Sequence, residues 1–378
     1  MIHRERLIAA LSHQQPDRVP IDIGGTVNSS IVVEGYARLK AHFGVEAEGG
    51  LCNRMMRVVK VDEQILQALD IDTRGVFMGA PTKGADQELE PNGYRDLWGI
   101  ERIKPAHSYY YDLRNSPLAG EISLNDVRKY PWPDPDDPGL LQGLKERVAW
   151  IRENTDCAAV LALPAPFIHV SQYLRGFEDW YCDIALNAKV LVALCDAVLE
   201  VSLAMCQNIL KEVGQEVDVV VAGDDIGAQR GLQINPEAYV KYVKPRHAEY
   251  FRRVHDLSPA KLLYHSCGSV ISIMEDLIEI GVDAIHPVQV SAAGMDPHLL
   301  KKKYGDRLAF WGAVDTQQIL PRGGIADVKR AVEQCIEAMG ESGGYVLAAV
   351  HNIQPDVPLE NILAMFQHAR EYVPAFAK

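Results

Sequence analysis

From about residue 140 onward, short apolar, β-branched runs alternate with amphipathic stretches of helical period. The runs are Ala158 to Leu163, Val217 to Ala222, Leu262 to Tyr264, Asp283 to His286, Leu308 to Trp311 and Tyr345 to Val350, with helical patterns such as 269–280 and 325–340 between them. Runs of this length predict strands, and strands alternating with helices predict parallel βαβ units, because a parallel pair needs a crossover. Two earlier runs, around 19–23 and 74–78, bring the predicted count to eight. Eight such strands favour a closed (β/α)8 TIM barrel over an open doubly wound sheet. No Gly-x-Gly-x-x-Gly follows any of them, which argues against dinucleotide binding.

The interval from about 79 to 140 breaks the rhythm. It is rich in Gly, Pro, Asp and Tyr and contains PWPDPDDP from Pro131 to Pro138. Trp98, Tyr109, Tyr110, Tyr111 and Trp132 give it side chains to pack, so it reads as an irregular excursion laid over one barrel domain spanning 1–378. The longest apolar helical pattern, 186–213, contains Lys189, Asp196, Glu200 and Asn208, each costly at a bilayer centre. The expectation is therefore a core helix and no membrane span.

Composition narrows the function class. The formal net charge of −13, with no Lys/Arg run to offset it, excludes a nucleic-acid binder. The seven cysteines are an odd number, and Cys182, Cys195 and Cys206 share one helical region, which argues against a disulfide framework. The opening MIHRERLIAALSHQQPDRVP lacks the long apolar stretch of a signal peptide, so a cytoplasmic protein is expected.

In a (β/α)8 barrel the chemistry sits at the C-terminal ends of the strands. After Leu262 to Tyr264 comes His265-Ser266-Cys267-Gly268, where extended geometry turns an imidazole and a thiolate to one side. Zinc accepts both donors, and His351, just past the last strand, can supply a third ligand while leaving a fourth position open. The same residues also fit a buried thiol, a hydrogen-bonded strand-end imidazole and a loop-capping His. Asp224 and Asp225 point to opposite sides, one toward the pocket and the other toward backbone or an arginine such as Arg230. Asp315 and Gln289 are further polar residues just past strands, with helix capping as the plainer role for Asp315. Asp296-Pro297-His298 starts like a cobalamin-holding loop, but Lys301 stands where that loop needs glycine. Neither His-Glu-x-x-His nor Gly-x-Ser-x-Gly occurs.

Taken in order, RERLIAALSHQQPDRVP, YPWPDPDDP, GDDIGAQ, HSCGSV, FWGAVDTQ and HNIQPDVPLENI resemble the uroporphyrinogen decarboxylase superfamily nearly end to end. That resemblance implies a (β/α)8 barrel. The superfamily's true decarboxylases carry an arginine-rich Met-Arg-Gln-Ala-Gly-Arg segment for substrate carboxylates, where this chain reads IDIGGTVNSS without a base. In its corrinoid-dependent methyltransferases a His-x-Cys pair and a later Cys bind zinc. His265 and Cys267 match that pair, whereas His351 stands at the later position and also fits the decarboxylase pattern His-Gly-x-x-Pro-Asp-x-Pro.

The resemblance implies a zinc-dependent methyltransferase moving a methyl group between a methoxylated aromatic or a thiol and the cobalt of a corrinoid (cobalamin) held by a separate protein. Asp224, Asp225 and Asp315 are then the catalytic candidates. Gln289 and Tyr110 are the substrate-contact candidates, and His265, Cys267 and His351 the metal ligands. A homodimer is compatible with this. The alternatives are a metal-independent decarboxylase of the uroporphyrinogen decarboxylase type and a non-enzymatic accessory of a methyl-transfer system.

Overall fold

The computed structural model describes residues 1–46 and 49–377. Seven strands form one parallel sheet in sequence order: β1 (Thr73–Val76), β2 (Ala158–Ala162), β3 (Val219–Gly223), β4 (Lys261–His265), β5 (Ala284–His286), β6 (Ala309–Val314) and β7 (Tyr345–Ala349). The eighth stave is the expected run at 19–23, reduced to a single bridge between Ile21 and Leu347 of β7. Pro20 has no amide to donate, and the Ile21 amide goes to the Asp72 carboxylate (2.8 Å) instead of a ladder carbonyl. The Asp72 amide returns a bond to the Ile21 carbonyl, so the stave touches both sheet edges and the (β/α)8 barrel closes. Asp22 adds a lock from inside, fully buried and accepting from Trp311 Nε1 on β6 (2.9 Å), Thr73 Oγ1 on β1 (2.5 Å) and the Gly25 amide (2.9 Å).

Strand alternation divides the apolar residues into two cores. Ala158, Val160, Val219, Val221, Leu263, Trp311 and Val346 fill the barrel interior together with Leu7 and Leu11. The last two come from helix α1 (His3–Leu11), which plugs the N-terminal end of the barrel. Ala159, Leu161, Val220 and Leu262 point outward into the larger core beneath the helical shell.

Residues 79–140 are more regular than the sequence suggests. They hold a four-stranded antiparallel sheet of Gln87–Leu89, Gly93–Arg95, Glu101–Ile103 and Asp112–Asn115, followed by the helix Leu124–Lys129. The strands have three or four residues with charges on both faces, too short and too polar for a period of two to register. Trp98 and Trp132 meet edge to face and cover Val201 and Met205 of the long helix Ala188–Val213. That helix is long and apolar enough to cross a membrane, but its apolar side is largely consumed by the fold.

Candidate metal centre and the cleft above it

His265 is the last residue of β4, in register with Gly223 of β3 and His286 of β5. The chain then turns at Gly268, and two side chains fix the turn: Asp225 Oδ1 accepts the Cys267 amide (2.7 Å) and Gln289 Oε1 accepts the Gly268 amide (2.7 Å). Donor atoms of His265, Cys267 and His351 lie within 4.8 Å of one another, with His265 Nε2 and Cys267 Sγ 3.6 Å apart. A tetrahedral zinc ion with bonds of about 2.1 Å to nitrogen and about 2.3 Å to sulfur needs those atoms about 3.6 Å apart. The two imidazoles and one thiol therefore fit zinc.

The electrostatics supply most of the protonation states a metal needs. Burial pulls His265 down to about 4 against the opposing pull of Asp225, and lowers His351 in the same way, so both rings are neutral near pH 7. Burial and then Asp225 push the Cys267 thiol up, an effect that a dication beside the sulfur reverses.

The remaining candidates separate into those that face the site and those that support it. Asp225 faces it, with Oδ1 3.5 Å from His265 Nε2 and Oδ2 3.3 Å from His169 Nε2. Asp224 does not. It is fully buried and accepts the amides of Phe167, Ile168 and His169 at 3.0 Å each, at the start of the helix Ile168–Arg175, and lies 3.2 Å from His247 Nε2. Its partners are thus backbone amides and a histidine, not Arg230. The Asp315 carboxylate takes the capping role, at the turn before helix Ile319–Arg322, accepting the amides of Gln317 (2.7 Å), Gln318 (2.6 Å) and Ile319 (3.3 Å). Gln289, a substrate-contact candidate, bonds to Gly268 and Gln229 and so positions the loop that carries Cys267. Tyr110 does reach the cleft, its hydroxyl 3.4 Å from His351 Nδ1 and donating to Asn352 Oδ1 (3.1 Å).

The cleft over this cluster has a volume of about 530 Å³. Strand ends provide one wall with His265, His351 and Asp225, while the four-stranded sheet provides the opposite wall with Tyr94, Asp96 and Arg102. The sequence reading missed Asn28, His169, His286 and Arg102. His286 ended a predicted strand and so carried a positional signal. Asn28 lies in IDIGGTVNSS, whose distinguishing feature is its lack of a base, and His169 and Arg102 sit in patterns with no motif at all.

Residues 114–372 match the uroporphyrinogen decarboxylase (URO-D) family. Among curated proteins, the chain is 27% identical over 281 residues to a uroporphyrinogen decarboxylase of Methylococcus capsulatus, covering 69% of this chain and 72% of that one. It is 26% identical over 240 residues to the methylcobamide:CoM methyltransferase MtaA of Methanosarcina barkeri, covering 62% of this chain and 64%, under two thirds, of the relative. A solved methyltransferase from Methanosarcina mazei shares the fold, with a TM-score of 0.68 at 19% identity over 98% of this chain and 99% of that one. With the family match running from the sheet-bearing excursion to the last helix, through both His265-Ser266-Cys267 and His351, the chain belongs to the uroporphyrinogen decarboxylase family.

Proposed function

We propose that the protein is a zinc-dependent methyltransferase that moves a methyl group between a small molecule, a methoxylated aromatic or a thiol, and the cobalt of a corrinoid carried by a separate cytoplasmic protein. The observation that carries this reading is the two-nitrogen, one-sulfur donor triangle at the barrel mouth, two of whose members, His265 and His351, line the cleft. Similarity to a methylcobamide:CoM methyltransferase supports it. When bound, zinc supplies the positive charge that holds a substrate sulfur or oxygen in its anionic form.

The chain's own residues do the rest. His265, Cys267 and His351 hold the metal, and Asp225 anchors the Cys267 amide and faces His265 and His169. Tyr110 closes the cleft beside His351. A decarboxylase is the second reading, favoured by the similarity to a uroporphyrinogen decarboxylase.

Elemental analysis of the purified protein should find about one zinc per chain, lost in Cys267→Ala. The protein is then mixed with reduced corrinoid protein and a panel of methoxylated aromatics, methylamines and thiols, and interconversion of Co(I) and methyl-Co(III) is followed in both directions. No methyl transfer across the panel, with loss of CO₂ from uroporphyrinogen or a small acid, would establish the decarboxylase instead.

A further inference from the structure

We propose that Arg102 is the receptor for a carboxylate on the substrate, so that the cleft takes a small acid with an apolar, ring-sized body. This rests on the cleft being the reaction site argued above. Arg102 lies in the middle of the strand Glu101–Ile103, is 5% exposed, and yet forms part of the same cleft as His265 and His351. Its Nε donates to Asp96 Oδ2 (3.2 Å), and its guanidinium plane sits 4.3 Å from the centre of the Tyr173 ring. Asp96 is itself immobilised, with Oδ1 taking the amides of Trp98 (3.0 Å) and Ile100 (3.1 Å).

These contacts, with a further hydrogen bond to the Tyr173 hydroxyl, orient the group, and among the described residues no carboxylate pairs with its two terminal amino groups. Arg54, the other arginine at the cleft, differs: its terminal nitrogens are engaged by Asp86 (3.2 Å) and Glu88 (2.9 Å). A guanidinium has five donors, and the ion pair with Asp96 uses only one of them. The paired N–H edge matches the two oxygens of a carboxylate. The lining also offers apolar surface from Ile100, Leu163 and Val170, which suits a ring or short hydrocarbon body. The route back to the metal is short: Tyr173 stacks on His169 (6.2 Å between centroids), and His169 meets Asp225. A base absent from residues 21–30 is thus supplied by the four-stranded sheet.

The test titrates the zinc-loaded protein calorimetrically with 4-methoxybenzoate and with its neutral counterpart 4-methoxybenzamide. Wild type should prefer the acid by about ten- to a hundredfold, as a charge-assisted pair implies. Arg102→Gln should abolish the preference while leaving benzamide binding within about twofold, and Arg95→Gln, on the neighbouring strand and outside the cleft, should keep it. If Arg102→Gln does not fold, Arg102→Lys decides, since it keeps the charge and loses the paired edge; its preference should fall about tenfold. Equal binding of the two ligands by wild type, binding of neither, or a preference undiminished in the Arg102 variants would overturn the proposal. Arg102-dependent acid binding with no methyl transfer in either direction across the whole panel would leave this inference standing and overturn the methyltransferase reading. Equal methyl transfer from acid and amide, in wild type and Arg102→Gln alike, would do the reverse.

Discussion

The Nδ1 atoms of His265 and His286 lie 2.8 Å apart at the ends of neighbouring strands. One of them must donate. Asn28 Nδ2 lies 3.1 Å from His265 Nε2 and donates to it, so His265 carries its proton on Nδ1 and gives it to His286. The Nε2 lone pair thereby lies beside Cys267, where a metal ion held as proposed would take the place of the Asn28 hydrogen. If His265 ligates zinc as proposed, His286 would be the orienting group behind it, of the kind whose removal weakens metal sites. His286→Phe is expected to keep the fold and lower zinc affinity about ten- to a hundredfold, measured by competition with a chromogenic chelator. Unchanged affinity would show that the ring pair does not set the orientation of His265.

Asp224 and Asp225 are adjacent in sequence and opposite in consequence. Asp224→Asn puts an amide group against three backbone N–H donors in a fully buried setting and should cost about 3 kcal/mol of stability. Asp225→Asn should change stability by less than about 1 kcal/mol and cut turnover or zinc affinity about tenfold or more. Urea denaturation and steady-state rates on the two variants check this. The reverse pattern would exchange their roles.

Part of this was legible in the sequence, for physical reasons. The seven regular strands followed from buried β-branched runs, and Ala309–Val314 simply extends the run read at Leu308 to Trp311. The stave at 19–23 is legible as a run, but the Ile21 amide passes to the Asp72 carboxylate, which no hydropathy pattern reports. The His265-Ser266-Cys267 turn was visible because its chemistry is local. The partition between Asp224 and Asp225 follows from extended geometry, but which of them faces the cleft depends on the helix that starts at Ile168, and that is a tertiary fact. Arg102 stayed hidden because it reaches the cleft only when the meander folds over the barrel.

Asp72 gives the barrel closure a pH dependence. Burial pushes its carboxyl up, but His3 (2.8 Å), Arg18 (2.7 Å), the Ile21 amide and Arg6 (2.7 Å) outweigh that and hold it below its ordinary value. A carboxyl depressed in the folded state contributes stability above its unfolded pKa of about 4 and loses it as pH falls through that value toward the folded one. Urea midpoints between pH 7 and pH 3 should therefore drop on acidification. Asp72→Asn should be about 3–5 kcal/mol less stable at pH 7 and show a shallower acid slope. Parallel slopes for the two proteins would place the acid sensitivity elsewhere.

Gly268 determines whether the metal loop can close. Its φ is +81°, and a Cβ there would sit 2.5 Å from the Ala228 nitrogen and 2.5 Å from the Gly227 carbonyl carbon. Ala228 and Ser269 form an antiparallel bridge at this point, so the backbone opposite Gly268 is pinned and cannot retreat cheaply. Gly268→Ala thus combines a left-handed conformation that a side chain resists with a backbone clash, at a cost of about 1–3 kcal/mol. The loop, lying outside β4, is the part that yields, withdrawing the Cys267 sulfur from His265 while the strands stay paired. The expected result is a folded protein by circular dichroism, melting a few degrees lower and binding well under one zinc per chain. A variant with full zinc content and a wild-type melting point would show that the cluster tolerates a displaced loop, and that Cys267 is not held by this close approach.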